Sequence, residues 1–221
     1  MKNIGVIIPA FNAGGTIGAV IAGVAKYISR ENIIVVDDGS SDTTASVAAS
    51  LDARVLRHTE NKGKGAALQT GFDYLLQTTL DAVITLDADL QHPPDFIPQF
   101  TGLYSSGGFD IIIGSRLHNR KGMPIHRVLS NTITTFLVSA RTGKKIKDSQ
   151  SGFRLIDRKV LDAVRLKSSG FEAETEFIIK AAAVGFRFGS IPIRTIYAGE
   201  KSHMTNFATT VNFVKVLFQD Y

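Results

Sequence analysis

The sequence contains no cysteine, and no hydrophobic run in it is long enough to cross a bilayer. Without cysteine, disulfide scaffolds, thiolate zinc sites and cysteine nucleophiles are excluded, so any bound metal must be held by oxygen or imidazole ligands. A membrane-spanning helix needs roughly 18 or more consecutive apolar residues. Pro9 and Asn12 interrupt the first apolar run too early for a secretory signal, so we expect that run to form a strand.

Long blocks of like charge are also missing. The chain has 25 Lys and Arg against 20 Asp and Glu, a net charge of +5, without a polybasic block. This pattern argues against a nucleic-acid partner and favours an anionic small molecule or a membrane surface. We expect a cytoplasmic protein, with contact to the cytoplasmic face of the membrane as an open alternative.

The 221 residues, 44% of them hydrophobic, are enough to bury one core of ordinary size, so we expect a single domain over residues 1–221. Buried parallel strands are predicted at residues 4–8, 33–36, 54–56, 82–86 and 110–113. Segments of helical composition lie between them, at residues 16–29, 42–50, 64–77 and 94–104. This alternation predicts an α/β fold, a mostly parallel mixed sheet with helices on both faces.

The pattern changes after Gly114. Residues 115–122 predict a basic loop, and the uncharged residues 128–140 predict an amphipathic helix. Further elements are predicted as a strand at 151–156, a helix at 174–184, and one or two strands at 186–197 that Pro192 interrupts. The last segment, 206–219, predicts an amphipathic helix with one apolar stripe, formed by Phe207, Val211, Val214 and Phe218.

Acidic residues follow two of the predicted strands. The strand at 33–36 ends in Asp37 and Asp38, and ligands in open α/β sheets bind outside the carboxyl ends of strands. Asp38 could instead cap the next helix, but a pair of acids is more than one cap requires. The sequence therefore indicates a polar site at this edge of the sheet.

The strand at 82–86 leads into Asp87 and Asp89, with Gln91 just beyond. Alternation along an extended chain places the two carboxylates on one side, about 7 Å apart. Two carboxylates and an amide oxygen suit a hard divalent ion such as Mg²⁺ or Mn²⁺. A single acid pair of this kind is more often a turn or a cap, but here a second strand end brings acids to the same edge.

A glycine-rich segment, Asn61 to Ala67, opens the third predicted helix and contains Lys64. Its glycines would let backbone N–H groups approach an anion at the helix N-terminus; the alternative is an ordinary turn with solvated lysines. The dinucleotide-binding and phosphate-loop patterns do not occur at a suitable strand-to-helix turn, which argues against hydride transfer and ATP hydrolysis by those architectures.

Several motifs together resemble the family 2 glycosyltransferases of the GT-A fold, and in particular the dolichyl- and polyprenyl-phosphate sugar transferases. They occur in the family's order, at Ile8 to Asn12, Val36 to Thr43, Asn61 to Ala66, Asp87 to Pro94, Gly114 to Arg116 and Asp148 to Arg154. The resemblance covers nearly the whole chain. It implies one catalytic domain with a donor-binding half, 1–114, and an acceptor-binding half, 115–221, that ends in an amphipathic helix.

The resemblance also implies roles for individual residues. The nucleotide would be lined by Pro9, Ala10, Asn12 and Asp38, with Asp37 supporting them and Lys64 nearby. Asp87 would contact the donor sugar or ribose and help to hold the metal, and Asp89 and Gln91 would bind the metal on the diphosphate. Arg116 and Arg127 would bind the acceptor phosphate, with Ser130 as a further partner.

A phosphate acceptor needs positioning rather than deprotonation, so a general base is optional. If the acceptor were a sugar hydroxyl, Asp148 or Glu174 would be the candidate base, although Asp148 could equally be a turn acid. We expect Arg154 to brace its loop by pairing with an acid. For His92 we expect a surface or loop role rather than metal ligation.

The function implied is metal-dependent, inverting transfer of a hexose, mannose or glucose, from a GDP- or UDP-sugar to a polyprenyl or dolichyl phosphate, a step of cell-envelope biogenesis. One alternative is transfer to a saccharide hydroxyl; another is a nucleotide-sugar-binding module without turnover. Residues 128–140 and the last helix could contact a membrane, or pack against this domain or a twin subunit. A homodimer or a membrane-protein partner also remains open.

Overall fold

The computed structural model describes residues 2–117, 123–196 and 207–221. They form one seven-stranded sheet with the order β3-β2-β1-β4-β6-β5-β7. The strands are β1 (Ile4–Ala10), β2 (Ile33–Asp37), β3 (Arg54–Arg57), β4 (Ala82–Thr85), β5 (Ile111–Ser115), β6 (Arg154–Asp157) and β7 (Phe188–Pro192).

Helices cover both faces of the sheet. They are α1 (Ile17–Val24), α2 (Thr44–Ser50), α3 (Lys64–Leu76), α4 (Ile97–Ser105), α5 (Ile125–Thr142), α6 (Arg158–Ala163), α7 (Ala173–Val184) and α8 (Phe207–Phe218), with short 3-10 turns at Arg30–Asn32 and Pro94–Phe96. In the described part of the chain, none of these helices is both long and apolar enough to span a bilayer.

The centre of the sheet forms because β1, β2, β4 and β5 are rich in β-branched residues and are buried along their whole length. Every residue of β1 is buried, and alternate side chains enter two separate cores. Ile8 and Ile84 pack in the core under α1 and α4, whereas Ile7 and Val83 pack in the core under α3 and α7. The predicted α/β class with helices on both faces is therefore confirmed.

The sheet is mixed because of β6. Strands β1 to β4 pair in parallel, and so do β5 and β7, but β6 is antiparallel to both β4 and β5. The start of β6 therefore lies at the same sheet edge as the ends of β4 and β5. Thr85 and Ile113 both pair with Arg154.

Some predicted elements need correction. β3 is an edge strand rather than a buried one, because only β2 pairs with it among the described residues, and its Arg54 and Arg57 are exposed. α1 ends at Val24, five residues before the predicted end. The short helix α6, which was not predicted, begins where the Asp157 carboxylate accepts a hydrogen bond from the Lys159 amide.

The C-terminal helix also packs differently from the prediction. Val216 and Leu217 are buried, whereas Val214 and Phe218 of the predicted apolar stripe are exposed. The side chain of Phe207 lies outside the described residues, as does Tyr197 at the end of the predicted strand segment. The division into a donor half and an acceptor half concerns ligands and stays a prediction.

Candidate active site

The chemistry-bearing residues meet at one edge of the sheet. Ala10 at the end of β1 lies opposite Asp37 at the end of β2, and β4, the other parallel neighbour of β1, runs out into Asp87 and Asp89. The ends of β4 and β5 converge on the start of β6, as described above. The two strand-end acid pairs therefore share an edge, as the sequence predicted.

The turns that follow β1 and β2 are locked together by side chains. Asn12, in a left-handed conformation with φ of 50°, accepts a hydrogen bond from the Ser41 amide, and its own amide donates to the Ser40 hydroxyl at 2.9 Å. Asp37 is fully buried, accepts from the Ser40 amide at 3.0 Å, and lies 3.1 Å from the Arg57 guanidinium. Asp37 therefore supports the turn, and its expected role toward a nucleotide stays a prediction.

Asp38 is oriented by His58, a residue that lies in none of the sequence motifs. The His58 Nδ1 atom lies 2.6 Å from the Asp38 carboxylate, and its Nε2 atom lies 2.9 Å from the Thr70 hydroxyl. The amides of Lys62 and Gly63 also donate to Asp38. His58 directly follows β3, the neighbour of β2, so its strand-end position was the signal that could have identified it.

Lys64 joins two acids that are far apart in sequence. Its ammonium group lies 2.6 Å from Asp87 and 2.8 Å from Glu174. Burial alone would lower the pKa of Lys64, but the two carboxylates more than offset this effect and raise it above the ordinary value. The same ion pair keeps the pKa of Asp87 low against the opposing effect of burial. Lys64 is therefore a largely buried lysine that bridges two acids rather than a solvated one.

The glycine-rich segment does not present an open anion cradle. The amides of Gly65 and Ala66 donate to the Ser169 carbonyl, and those of Lys62 and Gly63 donate to Asp38. A Cβ atom on Gly65 would lie 2.3 Å from the Ser168 carbonyl oxygen. The expectation that these amides would receive a phosphate is therefore wrong: glycine is needed there because another loop passes too close for a side chain.

Asp87, Asp89 and Gln91 could hold a divalent ion only together with a ligand. A Cβ atom on Gly152 would lie 2.5 Å from the Asp87 carboxylate, so the backbone just before β6 packs closely against this acid. Asp89 accepts a hydrogen bond from the Gln91 amide at 2.9 Å. Across residues 2–117, 123–196 and 207–221, no three acids or histidines are grouped for a metal. One or two carboxylates fit Mg²⁺ that is completed by substrate phosphates.

Arg116 and Asp148 form a buried pair beside these acids. The Arg116 guanidinium donates two hydrogen bonds to Asp148, at 2.8 and 3.0 Å, and the Arg116 amide donates a third. Burial opposes ionisation, but the charge and hydrogen bonds of Arg116 lower the pKa of Asp148. Asp148 is therefore ionised and already paired with Arg116. Its geometry orients Arg116, which the resemblance assigns to the acceptor phosphate.

Two other side chains complete this region. Arg154 is buried, donates to the carbonyls of Ser149, Ser151 and Glu174, and lies 3.9 Å from the Glu174 carboxylate, so it braces the loop through carbonyl groups and also pairs with an acid. His92 is 3% exposed and stacks on Phe153 with ring centroids 5.9 Å apart. Desolvation lowers its pKa to about 4, so the ring is neutral near pH 7. His92 thus lies in a loop, one of the two places expected for it, but it is buried there rather than at the surface.

The remaining acceptor-side residues lie on the first turns of α5. Arg127 is half-buried, its amide donates to the Pro124 carbonyl, and Ser130 is exposed. The structure thus brings together residues from the ends of five strands and from α3 and α7. The roles of Pro9, Ala10, Asn12, Arg127 and Ser130 toward ligands stay predictions.

Comparison with known proteins gives one family and one fold. A model of the family described as Glycosyl transferase family 2 matches residues 5–165. An uncharacterized protein of Methanocaldococcus jannaschii is 34% identical, over 97% of this chain and 89% of its own. A UDP-N-acetylglucosamine–dolichyl-phosphate N-acetylglucosaminyltransferase of Methanococcus voltae is 30% identical, over 89% of this chain and 86% of its own.

A dolichol-phosphate mannosyltransferase of Pyrococcus furiosus is 32% identical, over 84% of this chain but 56% of its own length. Among solved structures, glucosyl-3-phosphoglycerate synthase from Mycobacterium tuberculosis, in complex with Mn²⁺, UDP and phosphoglyceric acid, superposes with a TM-score of 0.80 at 22% identity. That match covers 98% of this chain and 77% of the synthase. The shared architecture is the GT-A fold, as predicted.

Proposed function

The chain belongs to glycosyl transferase family 2 and is a glycosyltransferase, and from this premise we propose that it moves a hexose from a nucleoside-diphosphate sugar to a polyprenyl or dolichyl phosphate. The observation that carries the proposal is the meeting of two strand-end acid pairs with two largely buried cations, Lys64 and Arg116, on one sheet edge. Lipid phosphates are named as acceptors of the relatives from Methanococcus voltae and Pyrococcus furiosus.

The proposed donor site lies at the ends of β1 and β2. Pro9, Ala10 and Asn12 would line the nucleotide, and Asp38 would accept hydrogen bonds from it. His58 fixes the Asp38 carboxylate before the donor arrives, which lowers the cost of ordering that side chain. The base could be uracil or guanine, and the sugar could be mannose, glucose or another hexose.

Asp89 and Gln91, with Asp87, would hold Mg²⁺ or Mn²⁺ against the donor diphosphate. The ion, when bound, supplies positive charge where the departing diphosphate becomes more negative. Lys64 fixes Asp87 at 2.6 Å, so this carboxylate is oriented by the protein rather than by the ligand. The backbone at Gly152 packs against the Asp87 carboxylate so closely that no side chain fits there.

Transfer would proceed with inversion. An acceptor phosphate oxygen forms a bond to the anomeric carbon while the bond from that carbon to the diphosphate oxygen breaks, and the diphosphate leaves with the electron pair. The phosphate acceptor is already anionic and needs no base. This agrees with the state of the two candidate bases, because Asp148 is paired with Arg116 and Glu174 with Lys64.

Arg116, held by Asp148, would bind the acceptor phosphate together with Arg127, and Ser130 would be a further partner. Two guanidinium groups suit a phosphate because each can donate two parallel hydrogen bonds. A saccharide hydroxyl acceptor would instead require Asp148 or Glu174 to leave its ion pair and take a proton.

Asp89→Asn tests the proposal. We expect the variant to lose transfer to polyprenyl phosphate by on the order of a hundredfold or more in the presence of Mg²⁺ or Mn²⁺, since one charged oxygen ligand is replaced by a neutral one. Thermal unfolding should be unchanged. Asp95→Asn, an exposed acid six residues further on, is the matched control and should retain activity.

The same assay separates the alternatives. Radiolabelled sugar from GDP- and UDP-hexoses is offered to polyprenyl phosphate and to oligosaccharide acceptors, and thermal shifts with each donor report binding. Full activity of Asp89→Asn would refute the metal assignment. Transfer only to oligosaccharides would refute the lipid acceptor, and donor binding without any product would indicate a binding module.

A further inference from the structure

The Asp38 carboxylate, which we expect to face the nucleotide, already accepts hydrogen bonds from the protein. Its Oδ1 atom lies 2.6 Å from the His58 Nδ1 atom and accepts from the Lys62 amide at 2.9 Å, and its Oδ2 atom accepts from the Gly63 amide at 2.8 Å. A carboxylate only accepts hydrogen bonds, so the His58 Nδ1 atom carries the proton of this contact. One segment of the chain, residues 58–63, thus supplies every one of these donors.

The number of hydrogen bonds that Asp38 can still accept follows from its lone pairs. The two oxygens of a carboxylate offer about four acceptor sites, two on each oxygen. His58 and Lys62 use both sites of Oδ1, and Gly63 uses one site of Oδ2. Within the described ranges of the chain, the second site of Oδ2 is the one left for a ligand. Asp38 is 3% exposed, which agrees with a single outside contact rather than two.

The surroundings of Asp38 keep the carboxylate in this orientation. The next residue, Gly39, has a φ of 74°, and a Cβ atom there would lie 2.3 Å from the backbone carbonyl carbon of Glu60, so the two loops are in close contact. The His58 ring is held from its other side, because its Nε2 atom lies 2.9 Å from the Thr70 hydroxyl. Turning the carboxylate to present both oxygens to a ligand would break the hydrogen bonds that hold it, which is costly for a buried charged group.

The two bases that the proposed function leaves open differ in the number of N–H donors on one edge. Uracil has a single donor, N3–H, between two carbonyl oxygens. Guanine has two adjacent donors, N1–H and the N2 amino group, which together match the two oxygens of an unoccupied carboxylate. At Asp38 the second guanine donor would face Oδ1, whose acceptor sites are already used. That donor would lose its hydration without gaining an acceptor, which weakens binding.

We propose that the donor is a uridine diphosphate sugar rather than a guanosine diphosphate sugar, because Asp38 accepts one hydrogen bond from the base and not two. The inference deepens the proposed function and rests on it, since it requires that the nucleotide binds at the ends of β1 and β2. His58 is thereby a positioning residue that determines specificity: its N–H group occupies a site on Oδ1 and holds the carboxylate with one acceptor site toward the base.

Isothermal titration calorimetry of the full chain with Mg²⁺ and two pairs of nucleoside diphosphates tests the proposal. UDP is compared with 3-methyl-UDP, which keeps the ring but lacks the N3–H donor. GDP is compared with inosine diphosphate, which keeps the purine ring and N1–H but lacks the N2 amino group. We expect methylation to weaken UDP binding on the order of ten- to a hundredfold, as for loss of a hydrogen bond to a charged group. Inosine diphosphate should bind more tightly than GDP, and UDP about tenfold or more tightly than GDP.

The opposite results would overturn the proposal. If GDP bound more tightly than inosine diphosphate, the N2 amino group would have an acceptor, and the count of acceptor sites at Asp38 would be wrong. If 3-methyl-UDP bound as tightly as UDP, Asp38 would not accept from N3–H. If GDP bound as tightly as UDP, there would be no selection of the base. Ring size is constant within each pair, so a pocket that simply excludes purines does not produce the inosine result.

Substitutions of His58 test its positioning role. His58→Leu removes the N–H donor, whereas His58→Asn keeps an N–H group near the position of Nδ1. We expect the ratio of the dissociation constants of 3-methyl-UDP and UDP to fall in His58→Leu, because Asp38 is held less firmly, and to be kept in His58→Asn. Partial unfolding would weaken both nucleotides alike and leave the ratio unchanged. An unchanged ratio in His58→Leu would therefore overturn the role of His58; if that variant does not fold, the wild-type comparison still decides the base.

The outcome is distinguishable from failure of the proposed function. If sugar is transferred to polyprenyl phosphate from a GDP-hexose but not from a UDP-hexose, the proposed transfer stands and the inference about the base falls. If the nucleotides bind in the expected order but no sugar is transferred, the inference about the base stands and the proposed transfer falls. If none of the nucleotides binds, both fall.

Discussion

Replacing Lys64 by methionine is the most informative perturbation of the candidate site. The substitution keeps an unbranched, flexible side chain of nearly the same length but removes the ammonium group that lies between Asp87 and Glu174. The two carboxylates can be no further apart than the two distances to the ammonium nitrogen together, about 5.4 Å. At an effective dielectric constant of about 20, two like charges at that distance repel by about 3 kcal/mol.

We therefore expect Lys64→Met to lower the free energy of unfolding by about 3–5 kcal/mol near neutral pH, measured by urea titration followed by circular dichroism. The variant should also respond to acid in the opposite sense to the wild type. Without the ammonium group, one of the two carboxylates gains a raised pKa and binds a proton in the folded state. The variant should regain part of its lost stability as the pH falls from about 7 to about 5.

The wild type should show no such gain, because its Asp87 has a lowered pKa and stays ionised over this range. Lys62→Met is the matched control: Lys62 is two residues away in the same loop, and its side chain is exposed. We expect it to change stability by less than about 0.5 kcal/mol. If Lys64→Met cost no more than Lys62→Met, or if its stability did not rise on mild acidification, the charge-bridge argument would be refuted.

Two further substitutions test how the site is built. Gly65→Ala would place a Cβ atom 2.3 Å from the Ser168 carbonyl oxygen, so it should lower the free energy of unfolding by about 2 kcal/mol in urea titrations. The control Gly102→Ala has open space around it and should leave the free energy of unfolding unchanged or raise it by up to about 1 kcal/mol. Equal effects of the two substitutions would contradict the close packing at Gly65. Asp148→Asn should cost about 3–5 kcal/mol near neutral pH, because it leaves Arg116 without its charged partner. The folded-state pKa of Asp148 is lowered, so the ion pair stabilises the wild type fully above the unfolded-state pKa and progressively less as the pH falls toward the folded-state pKa. The difference in free energy of unfolding between variant and wild type should therefore become smaller in acid. A difference that does not depend on pH would contradict this reasoning.

The strands and the shared edge could be predicted because they depend on local signals. Runs such as Ile33 to Val36 are buried on both sides, so the β-branched residues themselves mark the strand, and the first polar residue marks its end. Parallel strands end at the same edge of a sheet, so the placement of Asp38 and Asp87 on one edge followed from the alternation of strands and helices. β3 was mistaken for a buried strand because its short apolar run does not reveal that it lacks a second neighbour.

The partners of the site residues could not be predicted in the same way. Lys64 and Glu174 are separated by more than a hundred residues, and nothing near either one indicates the other. The Ser169 carbonyl that occupies the first amides of α3 belongs to a loop without regular structure. Such contacts depend on where the chain passes in three dimensions. The sequence therefore indicated the candidate site residues, but it did not indicate whether their donor and acceptor groups are already used within the protein.

The antiparallel strand β6 has a consequence for synthesis of the chain. The parallel sheet β3-β2-β1-β4 can assemble once residue 85 has left the ribosome, but the second edge of β4 has no partner until residues 154–157 follow. During that interval β4, which is fully buried in the native sheet, has one unpaired edge that could pair with another nascent chain. β5 is made earlier than β6 but reaches its place in the sheet only through β6. Completion of the sheet, and with it the closing of Gly152 behind Asp87, is therefore a late event of folding on the ribosome.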